Sequence, residues 1–161
     1  MEISGENLFD FKNNLRREYL LTNRLGGYAM GTVYGIMMRK YHGLLVTPRR
    51  PPLDRMVLLN KIEETVEIRK ERICLDSNIY ADGIVYPYGY KYLEQFNCGS
   101  WISWRYNLNG VRLEKSIGLL PDHNTLYVKY RLLGDEKNVK LRLRPLLSIR
   151  NHHTVQKSSA N

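Results

Sequence analysis

Residues 101–120 read WISWRYNLNGVRLEKSIGLL, and this stretch decides the fold class. Apolar and polar residues alternate in its second half, which is the pattern of a strand with one buried face. That face carries Val111, Leu113, Ile117 and Leu119, with Lys115 as its one polar break. Asn109-Gly110 separates the two halves, and Asn-Gly is the strongest short signal for a two-residue hairpin turn. The stretch therefore predicts an antiparallel β-hairpin.

The same alternation continues toward the C-terminus. In residues 124–133, NTLYVKYRLL, one face carries Leu126, Val128, Tyr130 and Leu132 and the other carries Tyr127, Lys129 and Arg131. In residues 138–149, NVKLRLRPLLSI, one face carries Val139, Leu141 and Leu143 and the other carries Lys140, Arg142 and Arg144. We therefore predict a meander of three or four half-buried strands from Trp101 to Ile149, whose wet face accounts for much of the basic charge.

The first half of the chain is also rich in short β-prone runs. These are REYLLT at 17–22, GTVYGIM at 31–37, YHGLLVT at 41–47 and RMVLLNKIEETVEI at 55–68. Residues 48–52 are predicted to be a loop, because adjacent prolines remove backbone donors, and residues 81–92, ADGIVYPYGYKY, a second loop. Ten or more short strands predict an all-β fold: an antiparallel, supersandwich-like β-sandwich with few or no helices.

Length, charge and cysteine content limit the functional classes. At 161 residues the chain predicts one domain, residues 1–153, followed by a polar tail over residues 154–161. The net charge of +9 comes from Lys and Arg spread along the chain, without the blocks or motifs of a nucleic-acid-binding protein. Cys74 and Cys98 show no metal-ligand spacing, and a disulfide between them stays open. Without a signal peptide or a bilayer-spanning apolar run, we expect a cytoplasmic location, with neither membrane nor nucleic acid as partner.

In residues 23–46, NRLGGYAMGTVYGIMMRKYHGLLV, four glycines lie within ten residues: Gly26, Gly27, Gly31 and Gly35. Gly26 and Gly31 have the outer spacing of a P-loop, but Thr32 stands where that motif needs lysine. The order also differs from a dinucleotide-binding fingerprint, and the flanking charges leave the segment too short for a membrane helix. We therefore predict that these glycines permit positive φ angles or close backbone approach in a turn between strands.

The run Arg39-Lys40-Tyr41-His42 follows, and strand alternation would place Arg39 and Tyr41 on one side and Lys40 and His42 on the other. His42 fits two interpretations: a hydrogen-bonded structural histidine at the start of a strand, or part of a polar group that contacts a ligand.

Residues 18–66 resemble the N-terminal domain of bacterial and archaeal glycogen debranching enzymes of the amylo-α-1,6-glucosidase type. That family has an E-W-L-x-T-N-G-L-G-G-Y-x-x-G-T element, then R-R-Y-H-G-L-L-V, then P-P-x-x-R-x-V-L-L-x-K-x-E-E. The chain matches these elements and departs from them at Tyr19 for Trp, Arg24 for Gly and Lys40 for Arg. At Arg24 a glycine would allow a backbone angle that arginine resists. The resemblance continues more weakly to about residue 153.

The resemblance implies a β-sandwich that precedes an (α/α)-barrel catalytic domain, which this chain lacks. Glycoside hydrolysis needs a pair of carboxylates, and no spacing singles out a pair among Glu63, Glu64, Asp76, Asp82, Glu94 and Asp122, so we interpret them as solvated or strand-face charges. The chain is thus expected to be catalytically silent alone, with no catalytic residue and no cofactor. His152-His153 is too isolated to indicate a metal site.

The expected partners are glycogen or another α-glucan and the barrel domain or polypeptide. Aromatic faces stack on sugar rings while polar side chains bond the hydroxyls. The substrate-binding candidates are therefore Asn23, Arg39, Tyr41, His42, Trp101 and Trp104. The two tryptophans lie on opposite faces of a regular strand, so at most one should face sugar. Two alternatives stay open: a stand-alone module that binds α-glucan or a protein, and a non-functional gene fragment.

Overall fold

Residues 1–155, which the computed structural model of the protein describes, form two large antiparallel β-sheets. Most of the predicted polar tail, from residue 156 onward, lies outside the described residues. In chain order the strands are β1 (Glu2–Ser4), β2 (Glu18–Thr22), β3 (Tyr28–Thr32), β4 (Gly43–Arg50), β5 (Leu53–Ile68), β6 (Glu71–Cys74), β7 (Asn78–Ile79), β8 (Val85–Tyr86), β9 (Leu93–Cys98), β10 (Ile102–Leu108), β11 (Val111–Leu119), β12 (Leu126–Leu133) and β13 (Lys140–Asn151). The helical segments are a 3₁₀ turn at Gly5–Leu8, α1 (Phe11–Asn14) and a 3₁₀ turn at Gly89–Tyr92. The predicted all-β fold with few helices is confirmed.

The two sheets are built from different parts of the chain. The five-stranded sheet has the order β1-β9-β10-β11-β12. The six-stranded sheet has the order β13-β5-β4-β3-β2, with β6 added beside β5. The sixteen-residue strand β5 pairs with β13 along one edge and with β4 and then β6 along the other. A separate two-stranded hairpin of β7 and β8 completes the strands.

The hydrophobic core lies between the two sheets. Alternate residues of β10 point into it, and the side chains of Ile102, Trp104, Tyr106 and Leu108 are almost fully buried. The six-stranded sheet contributes Tyr19, Leu21, Ala29 and Leu44. Each large apolar side chain buried in this way stabilises the fold by about 1.5–3 kcal/mol relative to exposure. The period-two pattern of the sequence is thus the pattern of the core.

Lys115, the polar break in β11, points into this core. Its ammonium pairs with the buried carboxylate of Glu64 on β5, and the Tyr130 hydroxyl donates to the same carboxylate oxygen at 2.8 Å. The Lys115 ammonium also lies 5.3 Å from the centroid of the Trp104 ring. A buried charge is tolerated only when it is paired and hydrogen-bonded. The break is therefore a buried ionic link between the two sheets.

The predicted Asn-Gly hairpin is confirmed. Leu108 pairs with Val111 across the turn, and Asn109 and Gly110 both have positive φ angles, of 53° and 94°. A type I′ turn requires positive φ at both central residues, which Asn and Gly adopt most readily.

The predicted meander is correct for β10, β11 and β12 but wrong for the last strand. β13 leaves the five-stranded sheet and pairs with β5 in the other sheet, for example Leu141 with Val66. Alternation identifies a strand but says nothing of its partner, because a distant strand offers the same backbone groups as a neighbouring one.

The loop predicted at residues 48–52 is shorter than expected. Pro48 belongs to β4 and pairs with Arg55, and the turn consists of Pro51-Pro52 between the paired residues Arg50 and Leu53. The pairing of β4 with β3 ends at Val46, so Pro48 lies where β4 has only one neighbouring strand, a position that tolerates proline. The loop predicted at residues 81–92 contains β8 and the second 3₁₀ turn.

Within residues 1–155, none of the helices has the length and apolar character that crossing a bilayer would require.

Candidate functional site

The carboxylate of Glu18 joins two of the predicted site residues. Its Oε1 atom lies 2.9 Å from Arg39 Nε and 3.0 Å from His42 Nε2. Residues 39–42 form a turn, in which His42 N–H donates to the Arg39 carbonyl at 3.0 Å, and β4 begins only at Gly43. The predicted alternation of Arg39 and His42 to opposite sides is therefore wrong, because a turn brings both side chains to the same carboxylate.

His42 is fully buried, and both of its ring nitrogens have partners. The Met38 backbone N–H donates to Nδ1 at 3.0 Å, so Nδ1 carries no proton and Nε2–H donates to Glu18. Burial lowers the pKa of His42, against the opposing hydrogen bond and charge of Glu18. The ring is thus held neutral in one tautomer, and of the two interpretations of His42 the structure supports the hydrogen-bonded structural one.

Tyr41 takes part in a closed set of hydrogen bonds that we call the Tyr–His ring: Tyr28, Tyr41, His152 and His153. The Tyr28 hydroxyl donates to the Tyr41 carbonyl at 3.0 Å and lies 3.3 Å from His152 Nδ1. The two Nε2 atoms of the histidines are 2.9 Å apart, and His153 Nδ1 lies 3.3 Å from the Tyr41 hydroxyl. The ring joins the turn before β4 to the end of β13.

One assignment of protons satisfies every member of the Tyr–His ring. Because the Tyr28 proton goes to a carbonyl, its oxygen must accept from His152 Nδ1–H, which leaves His152 Nε2 as an acceptor. His153 Nε2–H then donates to that nitrogen, and the Tyr41 hydroxyl donates to His153 Nδ1. Burial, together with the positive charges of Arg55, Arg150 and Lys40, lowers the pKa of His152 and favours this neutral state.

Asn23 is buried and organises the glycine-rich turn. Its Oδ1 accepts from the backbone N–H groups of Leu25 and Gly27 at 3.1 and 2.8 Å. Its Nδ2 donates to the His123 carbonyl and to the Asn124 side chain at 2.8 and 2.9 Å. A Cβ atom at Gly27 would lie 2.7 Å from that nitrogen, so the predicted close approach is confirmed. Asn23 therefore ties the turn before β3 to the turn before β12.

Arg24 has a φ of 66°, in the left-handed region. The sequence prediction that this position favours glycine is confirmed, since side chains other than glycine resist this angle.

The two tryptophans differ as predicted. Trp104 is 2% exposed, and its indole N–H donates to the Val33 carbonyl at 2.7 Å. Trp101 is 51% exposed and lies over Gly118. Tyr127, which pairs with Gly118 and is equally open to solvent, completes this aromatic surface and was not among the predicted residues. The sequence did place Tyr127 on the solvent-exposed face of the strand NTLYVKYRLL, and this position could have identified it.

The six candidate residues thus fall into two groups. Arg39, Tyr41 and Trp101 present surface that a sugar can touch. The side chains of Asn23, His42 and Trp104 are buried and lack that surface, because their polar atoms already bond the protein itself. The burial of these three side chains favours a positioning role, and their contact with sugar stays a prediction.

The predicted solvation of the six acidic candidates holds only in part. Asp76 and Glu64 are buried, and each pairs with a lysine. Asp76 lies 3.7 Å from the Lys61 ammonium, and Glu64 pairs with Lys115. Burial raises the pKa of Asp76 and lowers the pKa of Lys61, while their mutual attraction opposes both shifts. Three others pair with arginines: Glu63 with Arg144, Glu94 with Arg112 and Asp122 with Arg24. Asp82 accepts from the Ile84 N–H at 3.0 Å.

A groove of about 470 Å³ opens beside Arg39. Lys40, Asn60 and Arg150 also line it, so its walls offer charged and amide donors to a polar ligand. Among residues 1–155, no three His, Cys, Asp or Glu side chains converge in a way that could hold a metal ion. Both cysteines in this part of the chain are free thiols.

One comparison with known proteins gave a match. The sequence model of a family described as glycogen debranching enzyme N terminal matches residues 17–161. Searches among curated proteins and among solved structures gave no match. The matched range contains the motifs of residues 18–66 and continues through the rest of the chain, which confirms the resemblance.

Proposed function

Because the chain belongs to the glycogen debranching enzyme N-terminal family, we propose that it is the substrate-binding and structural domain of such an enzyme. In this proposal it acts in glycogen catabolism in the cytoplasm, binds α-glucan and packs against an (α/α)-barrel that performs the hydrolysis. By itself the chain is catalytically silent. The family match over residues 17–161 carries the proposal.

The state of the carboxylates supports catalytic silence. A glycosidase acid must reach the glycosidic oxygen, and its partner must stand across the scissile bond. Glu64 is buried against Lys115, and Glu63 and Glu94 are held by arginines. Glu18 is shared between Arg39 and His42, whose ring has no free nitrogen. These groups are occupied in holding the fold, which leaves the chemistry to another domain.

The groove beside Arg39 supports glucan binding. The Arg39 side chain is more than half exposed although its Nε bonds Glu18, so the rest of the guanidinium can donate to sugar hydroxyls. Tyr41 lies next to the groove and is half-buried: the Lys40 ammonium is 5.1 Å from the centroid of its ring, and the rings of His152 and His153 pack against it at 5.4 and 5.7 Å. A sugar would therefore contact only the exposed part of this ring. His42 and Asn23 act as buried positioning residues. His42 holds Glu18 by a hydrogen bond, and Asn23 holds the glycine-rich turn.

An exposed apolar strip on β13 supports docking to a second domain. Its members are Leu143, Leu147 and Ile149, of which Leu147 is 69% exposed. Large exposed apolar side chains grouped on one edge strand indicate an interaction surface. Ile149 also has a φ of 45°, a costly angle for a β-branched residue. The family match implies association with the catalytic domain of a glycosidase, and we propose that this domain, the barrel, docks on the strip.

Two measurements test the proposal. The purified chain should release no glucose from α-1,6-branched dextrin, and hydrolysis should appear only when a barrel domain of the same family is added. Isothermal titration with maltoheptaose should give millimolar-range binding that weakens about tenfold in Arg39→Ala, the loss expected for a hydrogen bond to a charged group. Lys12→Ala, in the exposed turn of α1, is the matched control. Hydrolysis by the chain alone would contradict catalytic silence.

A stand-alone binding module is the second candidate. The sandwich encloses its own core within residues 1–155, so it has the means to fold without a partner. In that case maltoheptaose binding would be complete without the barrel, and the barrel would neither bind the chain nor alter its affinity for glucan. Association of the chain with the barrel would favour the debranching complex over the stand-alone module.

A further inference from the structure

The Trp101 ring lies flat on the outer surface of the five-stranded sheet. A Cβ atom built on Gly118 would lie 2.6, 2.6 and 2.9 Å from Cε3, Cζ3 and Cδ2 of the indole. Such similar distances to three neighbouring ring carbons place Gly118 beneath the face of the six-membered ring rather than at its edge. One face of the ring therefore rests on the glycine, and the opposite face is open to solvent.

Tyr127 provides a second ring beside the first. It pairs with Gly118 across β11 and β12, so its side chain projects from the same face of the sheet as Trp101. The exposed fraction of Tyr127 is 50%, almost the same as that of Trp101. Both rings line a groove of about 370 Å³, together with Leu120 and Pro121. We call this surface the Trp101–Tyr127 platform.

Polar side chains follow the platform along the sheet. The next row on the same face consists of Ser103, Ser116 and Lys129, which are paired across β10, β11 and β12. Rows of one sheet face lie about 7 Å apart, since each residue advances the strand by about 3.4 Å. A pyranose stacked on the rings would thus have hydroxyl and ammonium donors within reach of its neighbour along a chain.

The charges around the platform disfavour a nucleic acid. In the row after Lys129, Arg105 and Arg131 both pair with Glu114, at 3.3 and 2.9 Å. Their charge is therefore largely compensated, and a phosphate backbone would find no continuous basic track. A neutral ligand with apolar ring faces and many hydroxyls fits better.

We propose that the Trp101–Tyr127 platform is a second α-glucan site, separate from the groove beside Arg39. This inference rests on the proposed function for the class of its ligand, and it adds a surface on the opposite sheet. The platform binds the α-glucan chain by stacking one or two glucose units on its rings. A polymer that occupies both sites at once binds more tightly than a short oligosaccharide, because the second contact becomes intramolecular.

Four variants of the full chain test the platform. Trp101→Ala and Tyr127→Ala should each weaken maltoheptaose binding at the platform, by about tenfold for the tryptophan. Gly118→Ala should weaken it while both rings remain, because the added methyl group lifts the indole off the sheet. Tyr86→Ala, which removes an equally exposed tyrosine from β8, should have no effect. Unchanged urea midpoints for the variants exclude unfolding as the cause.

Acrylamide quenching gives a direct readout of the platform. Trp104 is buried, so Trp101 accounts for the quenchable fluorescence. Saturating glycogen should protect Trp101 from quenching in the wild-type protein and in Arg39→Ala alike. If Arg39→Ala alone abolishes glucan binding and Trp101 stays quenchable, the platform is overturned and the proposed function stands. If the wild-type protein binds no glucan, both the platform and the proposed function are overturned. Displacement of glucan by single-stranded DNA at low salt would overturn the assignment of α-glucan as the ligand of the platform.

Discussion

Two regions of the molecule use their side chains in opposite ways. The first, residues 18–64 of the six-stranded sheet, carries the distinctive family motifs. The second, residues 93–133 of the five-stranded sheet, shows plain strand alternation. In the first region the motif residues Asn23 and His42 are buried and bond the backbone. In the second region Trp101 and Tyr127 stand open to solvent.

This difference shows that a distinctive sequence motif can arise because buried polar groups need hydrogen-bond partners within the protein, and not because its residues contact a ligand. A buried polar group costs free energy unless each donor and acceptor has a partner. Only one type of side chain meets such a geometry, so these positions yield recognisable motifs. An exposed ring on a sheet has few such requirements, and its sequence context is correspondingly plain.

The largest effect should come from the ionic link that joins the two regions. Lys115→Ala leaves the Glu64 carboxylate buried without its cation, and it should lower the free energy of unfolding by about 3–5 kcal/mol. Urea unfolding at neutral pH measures it. Lys129→Ala, on the exposed face of the neighbouring strand, should change stability by less than about 0.5 kcal/mol. The double variant Glu64→Leu with Lys115→Met should recover most of the lost stability. If Lys115→Ala alone has only a small effect, the ionic link does not join the two regions in the way described.

Asn23→Ala should have the next largest effect, in the motif-bearing region. It leaves the N–H groups of Leu25 and Gly27 without their acceptor and should cost about 2 kcal/mol. Thermal or urea unfolding checks the value against Asn13→Ala, which changes an exposed asparagine of α1. If the two variants are equally stable and only glucan binding is lost, Asn23 contacts ligand directly and the distinction between the regions fails.

Acidification should destabilise the protein through two buried histidines, His42 of the first region and His152, which directly follows β13. The folded state lowers the pKa of His42 and of His152 below the usual value of 6.5, chiefly by burial. At His152 the charges of Arg55, Arg150 and Lys40 and the neighbouring His153 act in the same direction, whereas at His42 the carboxylate of Glu18 opposes the shift and Arg39 favours it.

Because the unfolded state binds these protons more readily, the stability is complete above about pH 6.5 and falls as the pH drops through the folded pKa values. Unfolding midpoints measured between about pH 7.5 and pH 5 should therefore decrease. His152→Gln should reduce the slope, since glutamine does not titrate. A protein that became more stable on acidification would contradict this account.

Arg24→Gly should give the smallest effect, and it should be stabilising. Glycine relieves the positive φ at this position, which outweighs its greater freedom in the unfolded chain by about 0.5 kcal/mol. The Arg24–Asp122 ion pair is exposed and contributes little. Gly110→Ala in the five-stranded sheet is the reverse change at a positive φ and should destabilise by about 1 kcal/mol. Destabilisation by Arg24→Gly would assign the arginine a larger structural role.

Local features of the fold were predictable from sequence. The Asn109-Gly110 turn, the inward face of β11 and the angle at Arg24 depend on residues next to each other in the chain. The partner of β13 was not predictable, because β13 pairs with β5 across about half of the chain length.

For the candidate site, the sequence indicated the segment around residues 39–42 but not the arrangement of its side chains. Residues 39–42 were predicted as an alternating strand, but the turn directs Arg39 and His42 to the same carboxylate. The Tyr–His ring was missed, because its tyrosines and histidines lie at opposite ends of the chain. Lys115 was recognisable in the sequence as a break in the apolar alternation of β11. Its partner Glu64 was not, because the pairing depends on how the two sheets pack face to face.

The position of β13 has a consequence for biosynthesis. The strand that covers one edge of β5 is synthesised after nearly all the rest of the domain. While the ribosome extends the chain, the long β5 ladder stays open to other nascent strands, and such open edges promote aggregation. Completion of the six-stranded sheet must therefore follow translation of residues 140–151, whereas the β10–β11 hairpin can close soon after its own residues emerge.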